Sequence, residues 1–166
     1  MHRKAMPSGF QPIRRDRLLQ EEAPDAYKSR GKLPEPTVCP QCRAVFRKGR
    51  WRWAEAPQNA HAVTCPACHR LNDKYPAGFV SLSGPFFSAH RDEIMRLVRN
   101  QEQRERQGHP LKRILGIEEQ DAAALVTTSD IHLARGIGDA LHHAYQGELE
   151  FHHKADENLL LVHWAR

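Results

Sequence analysis

Residues 39–68 read CPQCRAVFRKGRWRWAEAPQNAHAVTCPAC and contain all four cysteines of the chain. The cysteines form two C-x-x-C pairs, Cys39 with Cys42 and Cys65 with Cys68, with 22 residues between the pairs. A C-x-x-C turn directs two thiolates to one point, and two such turns facing each other form the closed four-sulfur site that Zn²⁺ accepts in structural positions. Two disulfides or a redox-active pair are the alternatives, but a redox pair leaves two cysteines unexplained and disulfides are rare in the cytosol. The spacing therefore predicts a zinc ribbon with one structural zinc ion held by four cysteines.

Catalytic groups are hard to find in this sequence. A site closed by four thiolates leaves no coordination position for water, so the zinc is expected to stabilise the fold and not to catalyse a reaction. Ser129, Asp130 and His132 lie close together in sequence, but a nucleophile needs its base within hydrogen-bonding distance, and helix capping accounts for the serine and the aspartate. The chain has 11 histidines, and whether some of them bind a second metal ion is left undecided by the sequence. The sequence thus predicts a protein that is not an enzyme.

Positive charge is concentrated in the first third of the chain. Residues 1–53 contain 13 Lys and Arg against 5 Asp and Glu, whereas residues 54–166 contain 12 against 15. The overall charge of +5 therefore hides a net charge of +8 in the first part. Such an asymmetry is typical of a segment that binds a polyanion.

The densest basic and aromatic stretch lies between the two cysteine pairs. If residues 44–53 form a strand, Trp51 and Trp53 point to one side while Arg50 and Arg52 point to the other. Basic side chains suit contacts with phosphates and tryptophan suits stacking on bases, whereas the alternative is a solvated strand face with two core tryptophans. Unpaired RNA bases stack on aromatic side chains, and no helix pattern here suits the major groove of DNA, so RNA is favoured over DNA. The candidate RNA-binding residues are Arg43, Arg47, Lys48, Arg50, Trp51, Arg52 and Trp53.

Residues 83–166 predict an α+β domain with the element order αββαββ. Apolar residues follow a helical spacing from Phe87 to Gln101, and a second helix is predicted from Ile131 to Tyr145 after the capping cluster Thr128-Ser129-Asp130. Strand pairs follow the helices, at 111–117 with 122–128 and at 148–152 with 159–164. This order predicts an antiparallel sheet with both helices on one face. In the second helix the expected inward residues are Leu133, Ala134, Ile137, Leu141 and Ala144, and its glycines, Gly136 and Gly138, would allow a close approach to the sheet.

Three segments are expected along the chain. Residues 1–36, rich in proline, glycine and charge, predict a basic flexible arm, residues 37–82 predict the ribbon, and residues 83–166 predict the α+β domain. No stretch has the ~20 apolar residues of a transmembrane helix, and the basic residues at the N-terminus are not followed by the apolar run of a signal peptide. Together with reduced cysteines, these features predict a cytoplasmic protein.

The two cysteine pairs resemble the zinc-ribbon part of the archaeal and eukaryotic nonsense-mediated-decay-three family, an adaptor for export of the large ribosomal subunit. The likeness covers residues 37–80, and Arg70 to Gly78 follows it loosely. The whole chain, with His90-Arg91-Asp92-Glu93-Ile94 and the stretch from Thr128 to Arg135, is also similar to a group of small, uncharacterised bacterial zinc-ribbon proteins. The first resemblance implies association with ribosomes or ribosomal RNA.

The sequence therefore predicts a non-catalytic zinc-ribbon protein that binds RNA and associates with ribosomes. A protein–protein adaptor that uses the ribbon and a sheet edge is the alternative. A metal-dependent nuclease that uses His132, His142 or His152 is the third hypothesis. RNA or a ribosomal particle is accordingly the expected partner, and no membrane partner is expected.

Overall fold

The structure is a computed structural model that describes residues 9–14, 27 and 31–166. It confirms the α+β class, with a small four-stranded sheet beside the cysteines and a six-stranded sheet covered by helices. In chain order the elements are β1 (Gln11–Ile13), β2 (Thr37–Val38), β3 (Val45–Arg47), β4 (Arg50–Arg52), β5 (His61–Ala62), α1 (Pro66–Asp73), β6 (Gly78–Ser83), α2 (Pro85–Ala89), α3 (Arg91–Gly108), β7 (Ile114–Glu119), β8 (Ala123–Thr128), α4 (Ile131–Tyr145), β9 (Glu148–Lys154) and β10 (Leu159–Ala165). No helix in these ranges is both long and apolar enough to cross a membrane.

The larger sheet has the strand order β1-β9-β10-β6-β8-β7. Its neighbours are antiparallel except β6 and β10, which run parallel with Leu160 beside Gly78 and Ala165 beside Ser83. The helix and strand order predicted for residues 83–166 is present, but the strand β6 lies at the centre of the same sheet. The larger domain therefore begins before residue 83, and the parallel β6–β10 pair departs from the expected all-antiparallel sheet.

Residues of β6 show why it belongs inside the larger sheet. Its buried residues alternate with half-buried ones along the strand, and Val80 and Leu82 have no exposed surface. This two-residue period fits a strand with one face on a core. The sequence places β6 with the ribbon only because it follows the second cysteine pair so closely.

One hydrophobic core lies between the larger sheet and the helices. The helix α4 packs on the central strands, α3 packs on α4, and α2 contacts β6, so the helices lie on one face as predicted. Four of the predicted inward residues of α4 are buried, whereas Ala144, in the last turn, is exposed. The core is completed by Phe87, Ile94, Val98, Val126, Phe151, Leu160, Val162 and Trp164.

The close approach of α4 to the sheet depends on Gly138. A Cβ atom at this position would lie 2.6 Å from Val162 Cγ1 and 3.1 Å from Leu149 Cδ1. At Gly136 the nearest atom to such a Cβ is the flexible Gln101 Nε2, at 3.4 Å. The predicted role of glycine in helix–sheet contact is therefore confirmed for Gly138.

Substitution of Gly138 by valine is expected to destabilise the larger domain. The added methyl groups have no space between α4 and β10, and overpacking of this kind costs about 1–3 kcal/mol. Thermal unfolding followed by circular dichroism measures the change in melting temperature. The matched variant Gly136→Ala should be neutral or stabilising by up to ~1 kcal/mol, because alanine favours the helix. Equal melting temperatures for the two variants would contradict the close contact.

The first described segment is a strand at the edge of the larger sheet. Gln11–Ile13 pairs with β9, and Ile13 packs against the core. Pro12 is tolerated here because not every N–H group of an edge strand has to donate a hydrogen bond to a neighbouring strand. These residues therefore correct the expectation of a flexible arm where they are described, whereas residues 1–8, 15–26 and 28–30 lie outside the described residues.

Candidate metal centre

The structure brings the four predicted zinc ligands together. Their sulfur atoms all lie within 4.8 Å of one another, and Cys42 Sγ is 3.8 Å from Cys65 Sγ. Zinc–sulfur bonds of about 2.3 Å in a tetrahedron place neighbouring sulfurs about 3.8 Å apart. The donor set and its spacing therefore fit one zinc ion bound by Cys39, Cys42, Cys65 and Cys68.

The first cysteine pair is shaped by a tight turn after β2. The Cys39 N–H donates to the Ala44 carbonyl at 2.9 Å, and the Arg43 N–H donates to the Cys39 carbonyl at 2.8 Å. Arg43 has a φ of 70°, in the left-handed region that side chains other than glycine rarely adopt. The turn is therefore maintained against the local preference of Arg43, which fits a turn that metal binding stabilises.

The second cysteine pair is the first turn of helix α1. Cys65 is the N-cap residue, its sulfur accepts a hydrogen bond from the Cys68 N–H at 3.4 Å, and Pro66 occupies the first helical turn. Proline suits this position because its missing N–H would have no partner in the helix. The Cys65 N–H in turn donates to Cys39 Sγ at 3.3 Å. The sequence predicts the turn at this pair but not the helix.

A buried arginine from the larger domain contacts the cysteine cluster, and sequence reasoning missed it. Arg113 is only 6 % exposed. Its Nη1 donates to Cys68 Sγ at 3.1 Å, and its Nη2 donates to Cys42 Sγ at 3.0 Å and to Cys65 Sγ at 3.5 Å. One guanidinium group therefore contacts three of the four candidate ligands, in the position that outer hydrogen-bond donors occupy around metal sites.

The loop between α3 and β7 holds Arg113 in place. Its Nε donates to the Pro110 carbonyl at 2.7 Å. Its backbone N–H donates to Ser129 Oγ, and the Ser129 N–H donates back to the Arg113 carbonyl, both at 2.9 Å. Ser129, predicted to cap α4, thus supports this loop, whereas Asp130 caps the helix by accepting from the Leu133 N–H at 2.8 Å.

Burial and hydrogen bonds set the ionisation of the metal-free cluster. Burial raises the pKa of Cys65 and of Cys68, although Arg113 opposes the rise. Burial alone would also raise the pKa of Cys39. Hydrogen bonds from the backbone N–H groups of Cys65, Cys42 and Gln41 outweigh this effect and lower the pKa of Cys39 to about 7. Since zinc binds the thiolate form, metal binding here would displace protons from the buried thiols.

The positive charge of the Arg113 guanidinium suits contact with negatively charged thiolates. Burial alone would lower the pKa of Arg113, but the hydrogen bond to Cys68 and the nearby Cys65 and Cys42 raise it. One zinc ion and four thiolates carry a net charge of −2, and a buried charge is costly unless it is paired. With zinc bound, Arg113 would neutralise part of that charge without being one of the four ligands.

The basic residues predicted to bind RNA lie mostly on the β3–β4 hairpin. Arg47 pairs with Arg50 beside a two-residue turn in which Lys48 and Gly49 have φ values of 53° and 78°. Such turns match the twist of hairpin strands. Arg43, Arg47, Lys48 and Arg50 are exposed, and Arg52 is half-buried.

The two tryptophans of this region have different environments, contrary to the prediction of one shared side. Trp51 is half-buried against the cysteine cluster and meets the ring of Phe46 edge-on at 5.5 Å. The strand β4 ends at Arg52, so Trp53 leaves the strand and is 39 % exposed. Trp51 therefore supports the ribbon, and Trp53 is the residue whose ring is accessible.

Trp53 also joins the ribbon to the end of α3. Its Nε1 donates to the Arg106 carbonyl at 2.7 Å, and the Arg106 guanidinium carbon lies 5.7 Å from the centre of its ring. Arg113 provides the second link between the two parts of the molecule. The ribbon is thus connected to the larger domain on both the metal side and the hairpin side.

Among the described residues, the histidines form no comparable cluster. In the described part of the chain, the four cysteines are the one group of three or more ligand side chains close enough to hold a metal. His132 and His142 both lie on α4, about 15 Å apart along its axis at 1.5 Å per residue. Across the β9–β10 pair, His163 lies opposite Glu150 and His152 opposite Leu161.

Comparison with protein-family models, with curated proteins and with solved structures finds no match to this chain. The resemblances given by the cysteine pairs and the flanking motifs therefore stay predictions.

Proposed function

We propose that this chain is a non-catalytic RNA-binding protein in which a structural zinc ion fixes the basic β3–β4 hairpin. The observation that supports it most directly is the exposure of Arg47, Lys48 and Arg50 together at the tip of a hairpin whose Trp51 packs against the four-cysteine cluster. Cations held on a rigid turn neutralise phosphates and release counterions from a nucleic acid. Zinc supplies the stability of the ribbon when it is bound by the four cysteines.

Single-stranded RNA is the proposed ligand. The hairpin supplies charge, and the partly exposed ring of Trp53 supplies a surface for base stacking, the combination used by proteins that bind single strands. Unpaired bases are the form in which RNA is read by aromatic side chains. The proposed setting is the cytoplasm, with the protein associated with a ribosomal particle, as the ribbon's resemblance implies.

A protein–protein adaptor is the second candidate. Leu71 and Tyr75, in and just after α1, are 41 % and 44 % exposed, and large apolar groups at a surface are features of docking sites. Binding that is insensitive to salt and to nuclease, with Leu71→Ser abolishing it, would favour the adaptor over RNA binding. The hairpin test that follows separates the two candidates.

Neutralising the hairpin with the triple variant Arg47→Gln, Lys48→Gln, Arg50→Gln is expected to weaken RNA binding about 10- to 100-fold at physiological salt. Each phosphate contact on a single strand contributes about 0.7 to the slope of log K against log salt, so the slope should fall by about 2. Fluorescence anisotropy with a labelled single-stranded RNA at several KCl concentrations measures both quantities.

The charge-preserving variant Arg47→Lys, Arg50→Lys is the matched control and should keep the salt slope. In lysate, the native chain should migrate with ribosomal particles at low salt and leave them at high salt, whereas the neutral variant should stay at the top of the gradient. An unchanged affinity and slope for the neutral variant would overturn the RNA assignment.

A further inference from the structure

We propose that the RNA-binding surface continues from the hairpin onto α3, where Arg96, Arg99 and Arg106 form its second half. This inference rests on the proposed function of the hairpin and extends it to residues of the larger domain. The ligand is the same single strand of RNA, bound across the junction between the two parts of the molecule.

The contact between Trp53 and Arg106 makes the two surfaces continuous. Trp53 follows β4 directly, and its indole N–H is bonded to the backbone of the last turns of α3. The Arg106 side chain lies over the ring of Trp53. A base on the exposed part of this ring would therefore have the hairpin cations on one side and the α3 cations on the other.

The three arginines lie on one stripe of α3. All three are exposed. At 100° per residue they fall within an arc of about 80°, and the rise of 1.5 Å per residue places Arg96 about 15 Å from Arg106 along the axis. The stripe is therefore long enough for its arginines to contact more than one phosphate of a bound strand.

The acidic residues of the same helical turns are bonded to the segment that leads into β7. The half-buried Glu102 accepts a hydrogen bond from the Ile114 N–H, and the half-buried Glu105 accepts one from Lys112 Nζ at 3.2 Å. Both carboxylates are thus already partnered within the larger domain. The solvent side of α3 between Arg96 and Arg106 is therefore basic, which matches a polyanionic ligand.

The test is the triple variant Arg96→Gln, Arg99→Gln, Arg106→Gln, in binding to a single-stranded RNA of about 20 nucleotides. Removing three cations that bind phosphates should lower the salt slope by about 2 and weaken binding about 10- to 100-fold at physiological salt. Glutamine keeps the helix, since its helix propensity is close to that of arginine, and Trp53 bonds the Arg106 backbone. The double variant Arg96→Gln, Arg99→Gln leaves the Trp53 contact untouched and should lower the slope by about 1.4.

Arg104 is the matched control on the same helix. It is exposed but lies outside the arc of the three arginines, about 80° from Arg96 and about 160° from Arg106, so Arg104→Gln should leave affinity and slope unchanged. If the hairpin variant lowers the slope and the α3 variants do not, the extension onto α3 is overturned while the hairpin function stands. If neither set of variants changes the slope, the proposed function and this inference fail together.

Discussion

Replacing Cys65 by serine is expected to abolish tight zinc binding and to unfold the ribbon while the six-stranded sheet stays folded. The ribbon has a buried cluster of Cys39, Cys65, Ala67 and Cys68, too small to stabilise a fold without metal. Structural zinc contributes about 10–16 kcal/mol in finger-sized peptides. The larger domain has a separate hydrophobic core that includes Phe87, Phe151 and Trp164, so it does not depend on the metal.

Metal analysis of the purified chain and two-dimensional amide NMR test this expectation. The native protein should contain one zinc per chain, and the Cys65→Ser variant almost none. Signals from residues 37–75 should collapse to unfolded positions while those of α4 and β10 stay dispersed. Thr64→Ser, at the neighbouring position, is the control and should keep both metal and spectrum. Retention of a full equivalent of zinc by the Cys65 variant, or disappearance of the α4 signals as well, would contradict the separate-core account.

The parts of the fold that follow short-range patterns could be predicted from the sequence. The helix α4 begins and ends where its apolar spacing, Asp130 and Gly147 indicate, and both predicted hairpins of the larger sheet are present. The strand β7, however, covers Ile114–Glu119 and not residues 111–117. The strand β1 could not be found in this way, and the apolar pattern of β6 indicates a strand but not its place in the larger sheet. β1 has three residues, one of them proline, and the partner of β6 is 82 residues away, from Gly78 to Leu160.

Some residues of the candidate site could likewise be predicted from the sequence, and others could not. Cysteine spacing alone identifies the four candidate ligands, because each pair is local and the number of thiols matches the coordination number of zinc. Arg113 gives no such signal, since it is one of 25 Lys and Arg and lies 71 residues from Cys42. Trp53 and Arg106 are likewise 53 residues apart. The local sequence pattern of each domain predicts the elements of that domain. It does not predict how the two domains pack together, and the contacts of Arg113 and Trp53 depend on that packing.

The position of Arg113 makes metal binding and domain contact depend on each other. Its guanidinium bonds three sulfurs of the ribbon, while its backbone is bonded to Ser129 of the larger domain. Removal of the thiolates would leave a buried cation without these sulfur partners, and removal of the arginine would leave the charge of the zinc centre less compensated. Each would therefore stabilise the other, and we expect zinc binding and ribbon docking to be coupled through this side chain.

Replacing Arg113 by methionine, which has a similar length and no charge, is accordingly expected to lower zinc affinity about 10- to 100-fold, the usual effect of removing an outer hydrogen-bond partner of a metal site. Competition with a chromogenic chelator measures the affinity. Arg113→Lys restores the charge but not the fork of donors, so it should recover part of the affinity. Lys112→Met, the neighbouring cation that pairs with Glu105, should leave zinc affinity unchanged. If the Arg113 and Lys112 variants bound zinc equally well, the guanidinium would have no part in holding the metal. The contact between ribbon and larger domain would then rest on the Trp53–Arg106 junction and on Leu111, which packs against the cysteine cluster.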